Sequence, residues 1–232
     1  MAVVALLGLL ALGWSHSPPT PAPTERPQLA LLTSLPIMFG EGFSLDAPSS
    51  PVRQRLEANY QLYPIGVADA QSLKDQKLLF MAHARAQPAA ALADLDQWVR
   101  GGGHLLLLTD PLLSWHSERP LGDPLRPPLN FADTALLAHW GLMLSGPDPV
   151  GPAPRQIDSV EVAAVSPGTL ASTGVCKVED DGFVARCAIG KGEVTVIADA
   201  DWLDVDEDGN QAAGPSSDPS LDALTRELAR LR

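Results

Sequence analysis

A three-layer α/β domain built on a mostly parallel sheet is the fold this sequence predicts, and three observations predict it. Apolar runs of strand length alternate with amphipathic helical segments from Gln28 to the C-terminus. The run "HLLLLTD", His104–Asp110, is apolar without a break, as a strand covered on both faces requires. Turn and cap residues (Pro51, the glycines after Arg100, Asp181-Gly182) stand at the boundaries between runs rather than inside them.

The elements follow in order. "QLALLTS" reads as the first strand, and "SSPVRQRLEANY" as a helix with a serine cap and Pro51 in its first turn. "YQLYPIGV" and "QKLLFMAHA" read as the second and third strands. "QPAAALADLDQWVR" is a helix whose Leu92, Leu95 and Val99 share one face. "RGGGH" follows this helix and precedes a strand. A phosphate loop has the opposite order, strand then helix, so these glycines are expected to end the helix through a left-handed residue. "FADTALLAHW" is a further helix, "EVTVIAD" the last strand and "DPSLDALTRELARLR" the terminal helix. The segment 148–188 reads as antiparallel, an extension of the sheet or a small side lobe.

Within that segment, Asp181-Gly182 is a type I′ hairpin signal, because both residues tolerate positive φ. Folding the chain about this pair sets Cys176 opposite Cys187. Directly opposed strand residues lie within disulfide reach, so the two cysteines are expected to be bridged. A disulfide indicates a compartment outside the cytosol.

The N-terminus leads to the same compartment. Residues 1–16 hold an unbroken apolar run, Ala2–Trp14, about 20 Å long as a helix and so short of the ~30 Å hydrocarbon core. Its length suits a signal peptide or membrane anchor, although no Lys or Arg precedes it. Residues 17–27, with five prolines in eleven positions, read as a linker, and 28–232 as the folded domain. Net charge is −12, from 28 acidic and 16 basic residues with no Lys/Arg cluster, which argues against a nucleic-acid partner.

A ligand of an open parallel sheet lies beyond the carboxyl ends of its strands. The polar residues expected there are Ser34 and Glu41 after the first strand, His83 and Arg85 after the third, Asp110 and His116 after the fourth, and Asp199 and Asp201 after the last. No G-x-S-x-G elbow is present, and both cysteines belong to the hairpin, so no nucleophile stands ready for His83 or His116 to activate. The two histidines are expected to be exposed or to cap loops. Asp199 and Asp201 end a buried strand, where carboxylates accept hydrogen bonds from loop amides.

Six carboxylates fall within Asp199–Asn210. Asp204, Asp206 and Asp208, followed by Gly209, match the opening of a calcium loop, but the position that needs a bidentate glutamate is Pro215. A structural acidic loop without cofactor is the expectation, with calcium or another divalent cation at Asp204, Asp206 and Asp208 as the alternative.

The order of "NYQLYPIGV", "WVRGGGHLLLLTDP", "LLAHWGLML" and "GKGEVTVIADADWL" resembles the glutamine-amidotransferase-like domain of auxiliary proteins of ABC-type transport systems, including gliding-motility auxiliaries and related membrane-anchored proteins. The resemblance implies a flavodoxin-like, class I amidotransferase-like sheet facing the periplasm, with transporter or envelope proteins as partners and the membrane reached through the N-terminal segment. Amidotransferases of this fold carry a cysteine nucleophile at a strand-to-helix elbow, which this chain lacks. The implied role is a non-catalytic interaction or sensing module. Two alternatives stand beside it: a carboxylate/histidine hydrolase, metal-assisted or not, at the strand edge, and a small-ligand-binding domain.

Overall fold

The structure is a computed structural model that describes residues 26–40, 49–205 and 218–232. The N-terminal segment 1–16, most of the linker 17–27, and Glu41, Asp206 and Asp208 therefore lie outside the described residues. Among the described residues no helix is long and apolar enough to cross a membrane.

Eleven strands and five α-helices are described: β1 (Gln28–Thr33), α1 (Pro51–Asn59), β2 (Gln61–Pro64), α2 (Ala70–Leu73), β3 (Leu78–Ala82), α3 (Ala89–Arg100), β4 (His104–Leu108), α4 (Thr134–His139), β5 (Leu142–Ser145), β6 (Arg155–Ile157), β7 (Val160–Val162), β8 (Thr169–Ser172), β9 (Lys177–Glu179), β10 (Val184–Ile189), β11 (Gly192–Ile197) and α5 (Pro219–Arg230). Seven of the strands form one sheet in the order β2-β1-β3-β4-β11-β10-β9. The first five are parallel, which is the flavodoxin-like arrangement, and β10 and β9 continue it antiparallel. The pairs β5–β8 and β6–β7 form two small antiparallel sheets, so 148–188 both extends the main sheet and builds a side layer.

Parallel pairing forces crossovers, and crossovers of one hand put α1 and α3 on opposite faces, because the chain moves in opposite directions across the sheet after β1 and after β3. Accordingly α1 packs with α5, and α2 packs with α3. Burial follows the sequence pattern. Every residue of β3 is buried, as are Leu105–Leu108 of β4. Helix α3 buries Leu95 and Val99, with Leu92 half-buried beside them. Ser50 caps α1, its side chain accepting from the Arg53 amide at 3.1 Å.

The glycines after α3 behave as expected. Gly102 takes φ +113° and turns the chain into β4. The hairpin also closes in the expected register. Asp181 (φ 54°) and Gly182 (φ 87°) occupy its two central positions, and the Phe183 amide donates to the Asp180 carbonyl at 3.0 Å. Cys176 and Cys187 are joined in a disulfide at the end of the β9–β10 ladder.

Candidate functional site: a buried carboxylate triad at the strand edge

Strands β4 and β11 are hydrogen-bonded neighbours that point the same way, with Leu108 level with Ile197. Two residues further on, each strand supplies an aspartate, Asp110 and Asp199, and the short 3-10 turn Asp201–Leu203 adds Asp201. The three carboxylates are buried, and one oxygen from each lies within 4.8 Å of the others. Sequence reasoning named all three residues separately; the parallel register of β4 and β11 is what brings them together.

Each oxygen of the triad accepts a backbone amide. Asp110 takes Leu112 at 2.8 Å and Ala200 at 2.9 Å. Asp199 takes Trp202 and Val165, each at 3.1 Å. Both oxygens of Asp201 face the Ser114 amide, at 3.0 and 2.8 Å. These contacts tie three segments to one point: the loop after β4, the turn after β11 and the chain ahead of β8. The expectation that Asp199 and Asp201 hold loop amides is met, and Asp110 does the same.

Three carboxylates this close and this dry cannot all be ionised without cost. Burial, together with the neighbouring Asp201 charge, pushes the Asp110 carboxyl up to about 7. Burial and the charges of Asp110 and Asp201 raise Asp199 well above the usual carboxylate range, and burial raises Asp201. Chemically, such a cluster can retain a proton near neutral pH. These three residues are also the described group that could hold a metal ion.

The other residues expected at this edge are dispersed. Ser34 donates its hydroxyl to the His83 carbonyl, locking the end of β1 to that of β3. His83 corrects the expectation of an exposed or loop-capping histidine, for it is completely buried. The long connection from β4 to α4 folds back over it, and its Nε2 lies 2.7 Å from the Pro128 carbonyl. Burial holds its basicity below the usual imidazole range. Arg85 is exposed and donates to the Arg126 carbonyl at 2.8 Å, and His116 is exposed. Asp204 follows the 3-10 turn.

Sequence reasoning did not single out Asp133, whose carboxylate accepts the Gln87 amide at 3.1 and 3.2 Å and fixes the loop after β3. Its signal was its place just ahead of a helix, where an aspartate ordinarily caps; here it does not cap α4. Beside the triad, between the β1 loop, the start of α1 and the loops after β4 and β11, a hollow of about 410 Å³ remains open.

Residues 52–213 match the family described as "Domain of unknown function (DUF4350)". The chain belongs to the DUF4350 family. The matched segment of this DUF4350 protein contains the whole triad. No curated protein matches the chain. Among solved structures it is similar to the mmIFT52 N-terminal domain, at 14% identity and a TM-score of 0.53, over 87% of this chain and 96% of that one. It is also similar to the cytoplasmic protein STM1381 from Salmonella typhimurium LT2 (13% identity, TM-score 0.50, 88% and 99% covered). A third likeness is to the cytoplasmic protein STM3548 from Salmonella typhimurium (10%, 0.50, 88% and 98%). At these identities the likeness concerns the fold alone.

Proposed function

We propose that this DUF4350 chain is a non-catalytic interaction or sensing module that works outside the cytoplasm. In this reading it is secreted or held at the membrane by its N-terminal segment, needs no cofactor, and serves a transport or envelope assembly as an auxiliary component. The observation that carries the reading is the use made of the strand edge. In an open α/β sheet that edge is where chemistry is done, yet here all six triad oxygens accept backbone amides that hold the loops in place. Over β3, His83 is covered by the connection that contains Pro128.

The Cys176–Cys187 disulfide supports the compartment, since such bonds persist where thiols are not kept reduced. The finer kinship, with amidotransferase-like domains of transport auxiliaries, belongs to the same proposal and rests on the order of motifs along the sequence.

Two measurements test it. A panel of ester, phosphoester, amide and glycoside substrates is expected to show no turnover. In intact cells, a membrane-impermeant amine label is expected to reach Lys177, the exposed residue at the start of β9. Turnover abolished by Asp199→Asn in a protein that still folds would replace this reading with the hydrolase.

A further inference from the structure

The long connection between β4 and α4, residues 109–133, returns across the strand edge and lies over the end of β3. Its two ends are joined to each other: the Leu113 amide donates to the Leu129 carbonyl at 2.8 Å, and the Phe131 amide to the Asp110 carbonyl at 2.7 Å. Three contacts tie it to the loop after β3. Arg85 donates to the Arg126 carbonyl at 2.8 Å, the Gln87 amide donates to the Asp133 carboxylate at 3.1 Å, and His83 Nε2 lies 2.7 Å from the Pro128 carbonyl. The His83 side chain is fully buried, whereas Arg85 is exposed.

The Pro128 contact fixes the protonation state of the ring. A carbonyl only accepts, so Nε2 carries the hydrogen, and the neutral ring keeps a bare lone pair at Nδ1. That Nδ1 is buried, and among the described residues it has no hydrogen-bond partner. The backbone of His83 is held as well. Its φ is 43°, in the left-handed region, its amide donates to the Leu108 carbonyl at 3.3 Å, and its carbonyl accepts the Ser34 hydroxyl. A second proton would create a charge in a dry site, with a new N–H that no described residue accepts. Burial accordingly holds the imidazole below its ordinary value of 6.5.

The charged groups nearby do not offset this. Arg85, on the same loop, and Arg126, on the connection, stay cationic and lend an imidazolium no counter-charge; Arg126 is turned to the Ser117 carbonyl at 3.4 Å and to that of Arg119. Asp110, beyond the end of β4, directs its oxygens at the Leu112 and Ala200 amides, and Asp133 directs both of its own at Gln87. Burial raises both carboxyls, so gaining a proton in acid favours their folded positions, the opposite sign to His83. His116 and Glu118, on the same connection, are exposed to water, and Arg119 pairs with Asp123 at 3.7 Å.

We propose that His83 is an acid-sensitive latch: its neutral ring holds the connection between β4 and α4 over the end of β3, and protonation at Nδ1 releases that connection while the sheet stays folded. Release brings Leu113 and Phe131, both buried in the closed form, to water beside Leu121 and Leu125, which are exposed already. The inference stands whether the domain serves a partner or a reaction.

The test is amide hydrogen exchange of the full chain at several pH values, read by mass spectrometry and corrected for the intrinsic pH dependence of exchange. Because the folded value of the ring lies below 6.5, the closed form is favoured in full above that value and loses ground as pH falls beneath it. Protection across 111–133 is expected to fall about tenfold or more from about pH 7.5 to about pH 5, while β3 and β4 keep theirs. His83→Gln, whose side-chain amide can still donate to Pro128 but does not titrate, is expected to remove that pH dependence. If the variant fails to fold, NMR of the imidazole Cε1–H in the wild type decides instead, since the His83 signal must titrate together with the opening. Unchanged protection down to about pH 4.5, the same acid loss in folded His83→Gln, opening without titration of His83, or a loss shared equally by β3 and β4 would overturn the proposal.

Discussion

Asp110→Asn gives the sharpest test of the triad. Burial and the Asp201 charge move the Asp110 carboxyl from 3.8 to about 7, so ionising it in the folded chain costs about 4 kcal/mol more than in water. The sign follows from linkage. Because the folded value lies above the unfolded one, the folded chain holds the proton more tightly, and this contribution to stability is complete below the unfolded value and lost as pH rises through about 7. Between about pH 5 and pH 8 the loss amounts to about 3 kcal/mol. Asp199, raised by the same causes, adds to the slope in the same direction. His83 opposes it: its folded value is depressed, so its contribution is present above the unfolded imidazole value and lost as pH falls. Since His83 is common to both proteins, the difference between their profiles isolates the triad. Asparagine offers one acceptor oxygen where Asp110 offers two, leaving either the Leu112 or the Ala200 amide unpaired at a pH-independent cost of about 1–3 kcal/mol. The assay is urea denaturation of both proteins at several pH values and constant ionic strength. The wild type is expected to lose about 3 kcal/mol more than the variant from about pH 5 to pH 8. Parallel profiles would refute the shared-proton account.

Four further outcomes are expected. Reducing Cys176–Cys187, or replacing both residues by serine, releases a short cross-link of sequence separation 11 and should lower stability by about 2–3 kcal/mol in denaturant unfolding. Gly192→Ala would bring its Cβ to 2.2 Å from the Val99 and Gly103 carbonyl oxygens, so a loss of at least about 3 kcal/mol is expected. Gly66→Ala, with nothing within 4 Å, should be neutral or slightly stabilising by the same denaturant-unfolding comparison. Glu227→Gln removes the charge of a fully buried carboxylate lying 2.7 Å from Arg186, whose remaining acidic partners are Glu179 and Asp158. A loss of about 3 kcal/mol that Leu at position 227 does not repair is the expected result, read from urea midpoints.

What was legible in the sequence was what local pattern governs. The unbroken apolar runs of β3 and β4 reported burial on both faces, and Ser50-Pro51 announced the start of α1. The Asp181-Gly182 turn fixed the register that pairs Cys176 with Cys187, because a two-residue hairpin leaves no other alignment. The short helix α2 and the three-residue strands β6 and β7 were not anticipated; so few residues carry no periodicity, and their pairing depends on distant chain.

The site divides along the same line. That Asp110, Asp199 and Asp201 lie at one edge follows from strand order, and their convergence needed the parallel register of β4 and β11. The burial of His83 was hidden, because it depends on a carbonyl 45 residues away in a proline-rich connection that reads as solvated loop. Trp115 and Glu118, which line the hollow, were equally silent, since its wall is shared by three loops and the start of α1.

In the proposed function this domain serves a partner outside the cytoplasm rather than a reaction. The most direct measurement is crosslinking of the full-length chain in its own cells, followed by purification and mass-spectrometric identification of what is attached. Stoichiometric recovery of one membrane-transport or envelope component, joined through residues of the folded domain, is the predicted result. Recovery of the chain alone, from the cytoplasmic fraction and with Cys176 and Cys187 as free thiols, would contradict it.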